Sequence, residues 1–183
     1  MLFPTLVTGP TVDAITIDEA KTHLRETTSD GDSVLDTLTG AEIQSMINAA
    51  VQHIDGFTGI LGRALMPQTW SQEYECARGD LVLPFSPVIS VSSVYFGSVE
   101  FTDYRLLNDG RGPFLRLNSG FSWPNGPAVV EFIAGYEKCP EDLKHAIKLH
   151  VGSMYIFREM EAVNVSPTFA YEALVSKYFR HRL

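Results

Sequence analysis

The chain has 183 residues, 45% of them hydrophobic and 20% charged, with a formal net charge of −8. This length predicts one domain that buries about 70% of its unfolded surface, and eleven Phe, seven Tyr and two Trp exclude an intrinsically disordered chain. No apolar run approaches the ~18 residues of a membrane-spanning helix, the first ten residues lack the basic start of a secretory signal, and two cysteines make neither a disulfide scaffold nor a four-thiolate zinc site, which fits an intracellular folding compartment.

Residues 1–80 hold twelve acidic against four basic side chains and so carry the whole net charge; the rest of the chain is balanced. Tight binding of a phosphate backbone needs clustered Lys and Arg, which this distribution lacks. The local exception is the tail, with Lys177, Arg180, His181 and Arg182.

The first 15 residues, punctuated by Pro4 and Gly9-Pro10, read as an extended N-terminal arm, and residues 16–183 as a single domain. Thr16-Ile17-Asp18-Glu19 is a capping box that opens a helix over about 17–26. The polar stretch 27–32 reads as a loop, and Val34, Leu35 and Leu38 as a short helical turn. Thr39 and Glu42 repeat the capping pattern, and Ile43, Met46, Ile47, Ala50, Val51, Ile54 and Phe57 then follow the spacing of an amphipathic helix over about 41–57. Gly56 and Gly59 close it.

The period changes at Trp70. Trp70, Tyr74 and Cys76 fall on one face of a strand, and Ser71, Glu73 and Glu75 on the other. Further strands are predicted at 81–83, 88–96, 104–107, 114–117 and 129–133, with a hairpin loop at Asn108–Pro113 and a connection at Trp123–Pro127. Turns this close favour antiparallel pairing. Helix returns at Pro140, with Glu141 and Asp142 at the positive end of its dipole and Leu143, Ile147, Val151, Met154 and Tyr155 as its stripe. A last helix is predicted from Phe169 to Arg180. The order gives an α+β fold: a helical bundle frame with an antiparallel β-region inserted at about 68–134.

No catalytic, cofactor-binding or metal-ligating group assembles by spacing. His145 and His150 are five apart, so they point about 140° from each other and do not clamp a metal together. His150 lies beside the apolar stripe and reads as a packed histidine, and His53 reads as solvated. Cys139 precedes a helix but has only Lys138 near it, which is too little to make a nucleophile. Cys76 reads as core. Gly59-Ile60-Leu61-Gly62-Arg63 follows a helix, so it reads as a C-cap and turn, not as a phosphate cradle.

Several stretches in a fixed order carry a resemblance. They are Ile17–Arg25, Ile54-Asp55-Gly56-Phe57-Thr58-Gly59, Gly62-Arg63-Ala64-Leu65, Gln68-Thr69-Trp70, Leu81-Val82-Leu83-Pro84, Pro87–Tyr95, Phe132-Ile133-Ala134-Gly135-Tyr136 and Pro140–Lys148. Over about residues 15–160 the chain resembles the head–tail connector (adaptor) proteins of tailed bacteriophages and phage-derived gene transfer agents. The resemblance implies a structural virion protein with no catalytic residue and no cofactor. It implies a ring, commonly dodecameric, beneath the portal protein, with DNA passing through the lumen without specific binding. The next neck or tail protein, a stopper or tail terminator, would dock on it, and no membrane is involved. It places the chain in the virion neck, and in the host cytoplasm during assembly. A stopper or tail-completion protein of the same neck, and a small enzyme or ligand-binding domain with a site built from distant residues, are the other readings.

The C-terminal segment matches the family least, yet it is the candidate docking site; packing of some of its rings on the body of the same domain is the other reading. Phe169, Tyr171, Leu174, Tyr178 and Phe179 alternate there with Lys177, Arg180 and Arg182. Aromatic residues and arginine are enriched at binding hot spots, and the portal is the partner the resemblance supplies.

Overall fold

The computed structural model describes residues 2–27, 40–157 and 169–179. The predicted turn at 34–38, the loop at 28–32, Thr39 of the second capping pattern, and Arg180, His181 and Arg182 lie outside them. The elements in chain order are β1 (Thr5–Thr8), α1 (Ile17–Thr27), α2 (Gly40–Ile54), β2 (Gln68–Tyr74), β3 (Leu81–Val82), β4 (Val88–Phe96), β5 (Val99–Glu100), β6 (Tyr104–Asp109), β7 (Gly112–Leu117), β8 (Ala128–Ala134), α3 (Glu141–Ile156) and α4 (Phe169–Ser176).

The capping box forms as read. The Glu19 amide donates to Thr16 Oγ1 at 3.1 Å, and the Thr16 amide donates to Glu19 Oε2 at 2.9 Å. That second bond, helped by Lys144 and Lys148 of α3, holds the Glu19 carboxyl below the usual carboxylate range. The helix-period residues become the helical core: Ala20 and Leu24 of α1, Ile43, Ile47, Ala50 and Ile54 of α2, Leu143, Ile147 and Val151 of α3, and Val175 of α4.

The strands make two antiparallel sheets, ordered β1-β2-β8-β4-β5 and β3-β7-β6. Alternation sets the register. Gln68, Trp70, Gln72 and Tyr74 of β2 are buried, Trp70 lies opposite Phe132 of β8, and Phe132 lies opposite Val91 of β4. The buried side of this sheet closes on Leu81, Leu83, Phe85 and Leu115 to form a second core. Trp70 packs at 4.4 Å from Phe85, ring centre to ring centre.

The α+β class and the antiparallel pairing hold, but the helical bundle frame does not. Strand is about as extensive as helix, and each has a core of its own. Sequence patterning sees apolar periods but not which faces close on each other. The β-region therefore reads as an insert when it is half of the fold.

Smaller differences have local causes. Helix α2 stops at Ile54 because Asp55 bridges to Arg63 and Gly56 takes φ +75. Strand β2 ends at Tyr74 and the chain then bends, so Cys76 leaves the alternation and is exposed, not core. Strands β1 and β5 are additional. All four residues of β1 are exposed, which leaves no alternation to read. Strand β5 has two residues and pairs back on β4 across Gly97, which takes φ +61.

Candidate functional site

The C-terminal helix α4 lies against α3, and its residues divide into seated and free. Leu174 and Tyr178 pack on the helical core around Val175. Tyr171 is half-buried, its ring 6.0 Å from that of His150. Lys177 pairs with Asp142 in the first turn of α3, and the Tyr178 hydroxyl donates to the same carboxylate at 3.3 Å. The ammonium holds the Asp142 carboxyl below its ordinary range. The Tyr178 ring meets Tyr136 edge-on at 6.4 Å. Phe169 is 86% exposed and Phe179 is 39% exposed. Of the eight residues read as a docking site, these two present exposed rings, whereas Tyr171, Leu174, Lys177 and Tyr178 also hold the helix to its own body. Arg180 and Arg182 are outside the described residues.

The seat reaches the β-region through Arg63. Its Nε donates to the Tyr178 carbonyl at 2.6 Å, and a terminal nitrogen donates to the Ser86 carbonyl at 3.2 Å. Next to it the Asp55 carboxylate accepts the Leu65 amide at 2.7 Å and the Gln68 side-chain amide at 3.1 Å. Burial pushes the Asp55 carboxyl up despite those donors. A cavity of about 280 Å³ lies beside this group, under the N-terminal arm, with walls that include Leu6, Val12, Val51 and Met66.

Two histidine pairs cross the helix interfaces. His23 of α1 meets His145 of α3 with ring centres at 5.9 Å, and His53 of α2 meets His150 of α3 at 5.0 Å. His150 is thus packed, as its place beside the stripe implies, and His53 is exposed but stacks edge-on against it. Spacing along one helix does not reveal partners supplied by others. Among the described residues no group of three or more His, Cys, Asp and Glu is placed to hold a metal ion, and no helix is long and apolar enough to cross a membrane. The Cys139 thiol is buried and pushed up to about 11 by burial, so it is protonated at neutral pH. The Gly59 turn acts structurally: a Cβ there would lie 2.2 Å from the Asp55 carbonyl oxygen.

No protein-family model matches the sequence, and no curated protein matches it. Solved structures do. A chain from the virion of a native gene transfer agent particle superposes with a TM-score of 0.79 at 22% identity, covering 100% of this chain and 97% of that one. A chain from the neck of an empty gene transfer agent particle, computed with C6 symmetry, gives 0.77 at 22% identity with the same coverage. Along its whole length, this chain has the fold of a gene transfer agent neck chain, in agreement with its sequence resemblance to head–tail connectors.

Proposed function

We propose that this chain is a structural, non-enzymatic subunit of a virion neck, a head–tail connector that forms a ring beneath the portal and receives the next neck or tail protein. The observation that carries this reading is the end-to-end likeness to a neck chain of a gene transfer agent particle, joined to the connector-like order of sequence stretches. A ring, dodecameric by the resemblance, needs heterologous contacts that close by rotation. A net charge of −8 per copy suits a conduit that lets DNA pass in packaging and ejection without gripping its phosphates. The docking role of the C-terminal segment belongs to the same proposal: Phe169 and Phe179 offer exposed rings and Arg180 and Arg182 add basic charge for the portal to recognise, while Tyr171, Leu174, Lys177 and Tyr178 hold the helix to its own body.

Deleting the gene in the producing cell tests the reading. The expected result is filled or partly filled heads and separate tails, with joining restored by the gene in trans. Normally joined particles without the gene would refute it. Removing residues 180–183 alone spares the Arg63–Tyr178 and Asp142 contacts and isolates the basic end: a folded chain that no longer joins heads supports portal docking through Arg180 and Arg182, and normal joining rejects their part in it.

A further inference from the structure

The five-stranded sheet ends in two open edges on one chain, and their properties match. Among the described residues β1 has a strand partner on one side only, β2, and all four of its residues are exposed. The arm that carries it is fixed in place. The Leu2 amide donates to the Glu73 carbonyl at 3.3 Å, the buried Gln72 side chain donates to the Leu2 carbonyl at 2.8 Å, and the Phe3 ring lies 5.3 Å from Phe57. At the far side, β4 is nine residues long, but β5 covers only Tyr95 and Phe96. The Phe101 amide adds one bond to the Val94 carbonyl. Among the described residues no strand lies beyond Val88–Ser93.

We propose that these edges are the two halves of one self-assembly contact, in which β1 of one copy pairs antiparallel with the Val88–Ser93 edge of β4 in the next copy. The inference rests on the ring reading above and names the surface that would close it.

Charge selects the occupant. Open edges are normally blunted with charged side chains, yet residues 2–12 and 81–99 contain no charged residue in a chain that is 20% charged. The register shifts in β4 bend its edge without charging it. Copies carrying −8 each repel wherever their acidic surfaces meet. The two neutral edges are where a second copy approaches at least cost, whereas a charged partner segment would find no counter-charge on either. Apolar side chains stand along both: Phe3 is 79% exposed and Val7 51% on the arm, and Ile89 is 38% exposed on β4.

Strand direction agrees. β1, β2, β8 and β4 are four strands, each antiparallel to the next, so β1 and β4 run in opposite directions. The small rotation between neighbours in a many-membered ring changes those directions little, and β4 of one then meets β1 of its neighbour close to antiparallel. The contact uses different surfaces on the two copies, so it does not stop at a dimer but propagates until it closes.

Cross-linking in purified particles tests this. The exposed Cys76 is replaced (Cys76→Ser), Val7→Cys and Ile89→Cys place one thiol on each edge, and buried Cys139 stays silent. Paired strands lie about 4.8 Å apart, within the reach of a short bis-maleimide. The expected result is a ladder of linked copies from the double variant and only monomers from either single variant. Thr5→Cys with Ser92→Cys serves as a second pair if the first fails to fold. Dimers from Val7→Cys alone, or only monomers from both double variants while the chain is present in the particles, would overturn the edge pairing and leave the neck reading intact. Particles from the unsubstituted gene that lack the chain would refute the neck reading, and the ring contact with it.

Discussion

Arg63 and Tyr178 stand 115 positions apart, and the guanidinium Nε donates to the Tyr178 main-chain carbonyl at 2.6 Å. The same side chain holds the Ser86 carbonyl of the β-region, so one residue of the α2–β2 connection fixes the C-terminal helix to both halves of the molecule. Hydrogen bonds from a charged donor contribute about 1.5–3 kcal/mol each. Arg63→Ala is therefore expected to loosen α4 locally by about 2 kcal/mol, read as at least tenfold faster amide exchange over residues 169–179 with α1 and α2 unchanged. Unchanged protection of α4 would show that the link carries no weight.

His150 makes stability depend on acid. Burial, and then the facing His53, push its pKa below the ordinary 6.5, and its Nδ1 is buried without a hydrogen-bond partner among the described residues. The unfolded chain binds this proton more readily than the folded one, so the contribution is fully present above pH 6.5 and is lost as the pH falls below it. Melting temperatures between pH 7.5 and 5.5 are expected to fall more steeply for the wild type than for His150→Phe, which keeps a ring against His53 and Tyr171 but does not titrate. Parallel curves would remove His150 as the cause.

Two glycines separate backbone strain from steric exclusion. Gly135 has φ +132, and a Cβ there would sit 2.2 Å from the Met66 carbonyl oxygen; Gly97 has φ +61 with nothing within 4 Å. Gly97→Ala is expected to cost about 1 kcal/mol for its left-handed backbone, whereas Gly135→Ala should cost more than about 3 kcal/mol or prevent folding, because strain and overlap add. Equal denaturation midpoints for the two variants would contradict this.

The two cysteines differ in access. Cys76 is exposed, and Cys139 is buried with its thiol pushed up to about 11. One thiol is expected to react with a disulfide reagent in the native protein and two in denaturant. Two fast-reacting thiols in the native protein would place Cys139 at the surface.

Much of this fold was legible from local signals. The Thr16–Glu19 box, the stripes of α2 and α3 and the full span of β4 follow from residue spacing, because cap chemistry and period are written within a few residues. Strand β5 also left a signal, Gly97-Ser98 between Phe96 and Val99, which is a hairpin pattern. What was not legible is relational. Thr5-Leu6-Val7-Thr8 becomes a strand through a pairing with β2 more than 60 positions away. The His23–His145 and His53–His150 pairs, and the reach of Arg63 to Tyr178, need the packed helices before they exist. The same holds for the docking segment. Its aromatic–basic composition is plain in sequence, but its division into seated Tyr171, Leu174 and Tyr178 and free Phe169 and Phe179 is a property of the seat.

The neck of the assembled particle, mapped by cryo-electron microscopy at side-chain detail, tests the central claim most directly. The account predicts a closed ring of this chain between portal and tail, with neighbouring five-stranded sheets joined edge to edge and the C-terminal segment turned toward the portal. A complete neck map without this chain, or the chain found in the capsid shell or the tail tube, would contradict it.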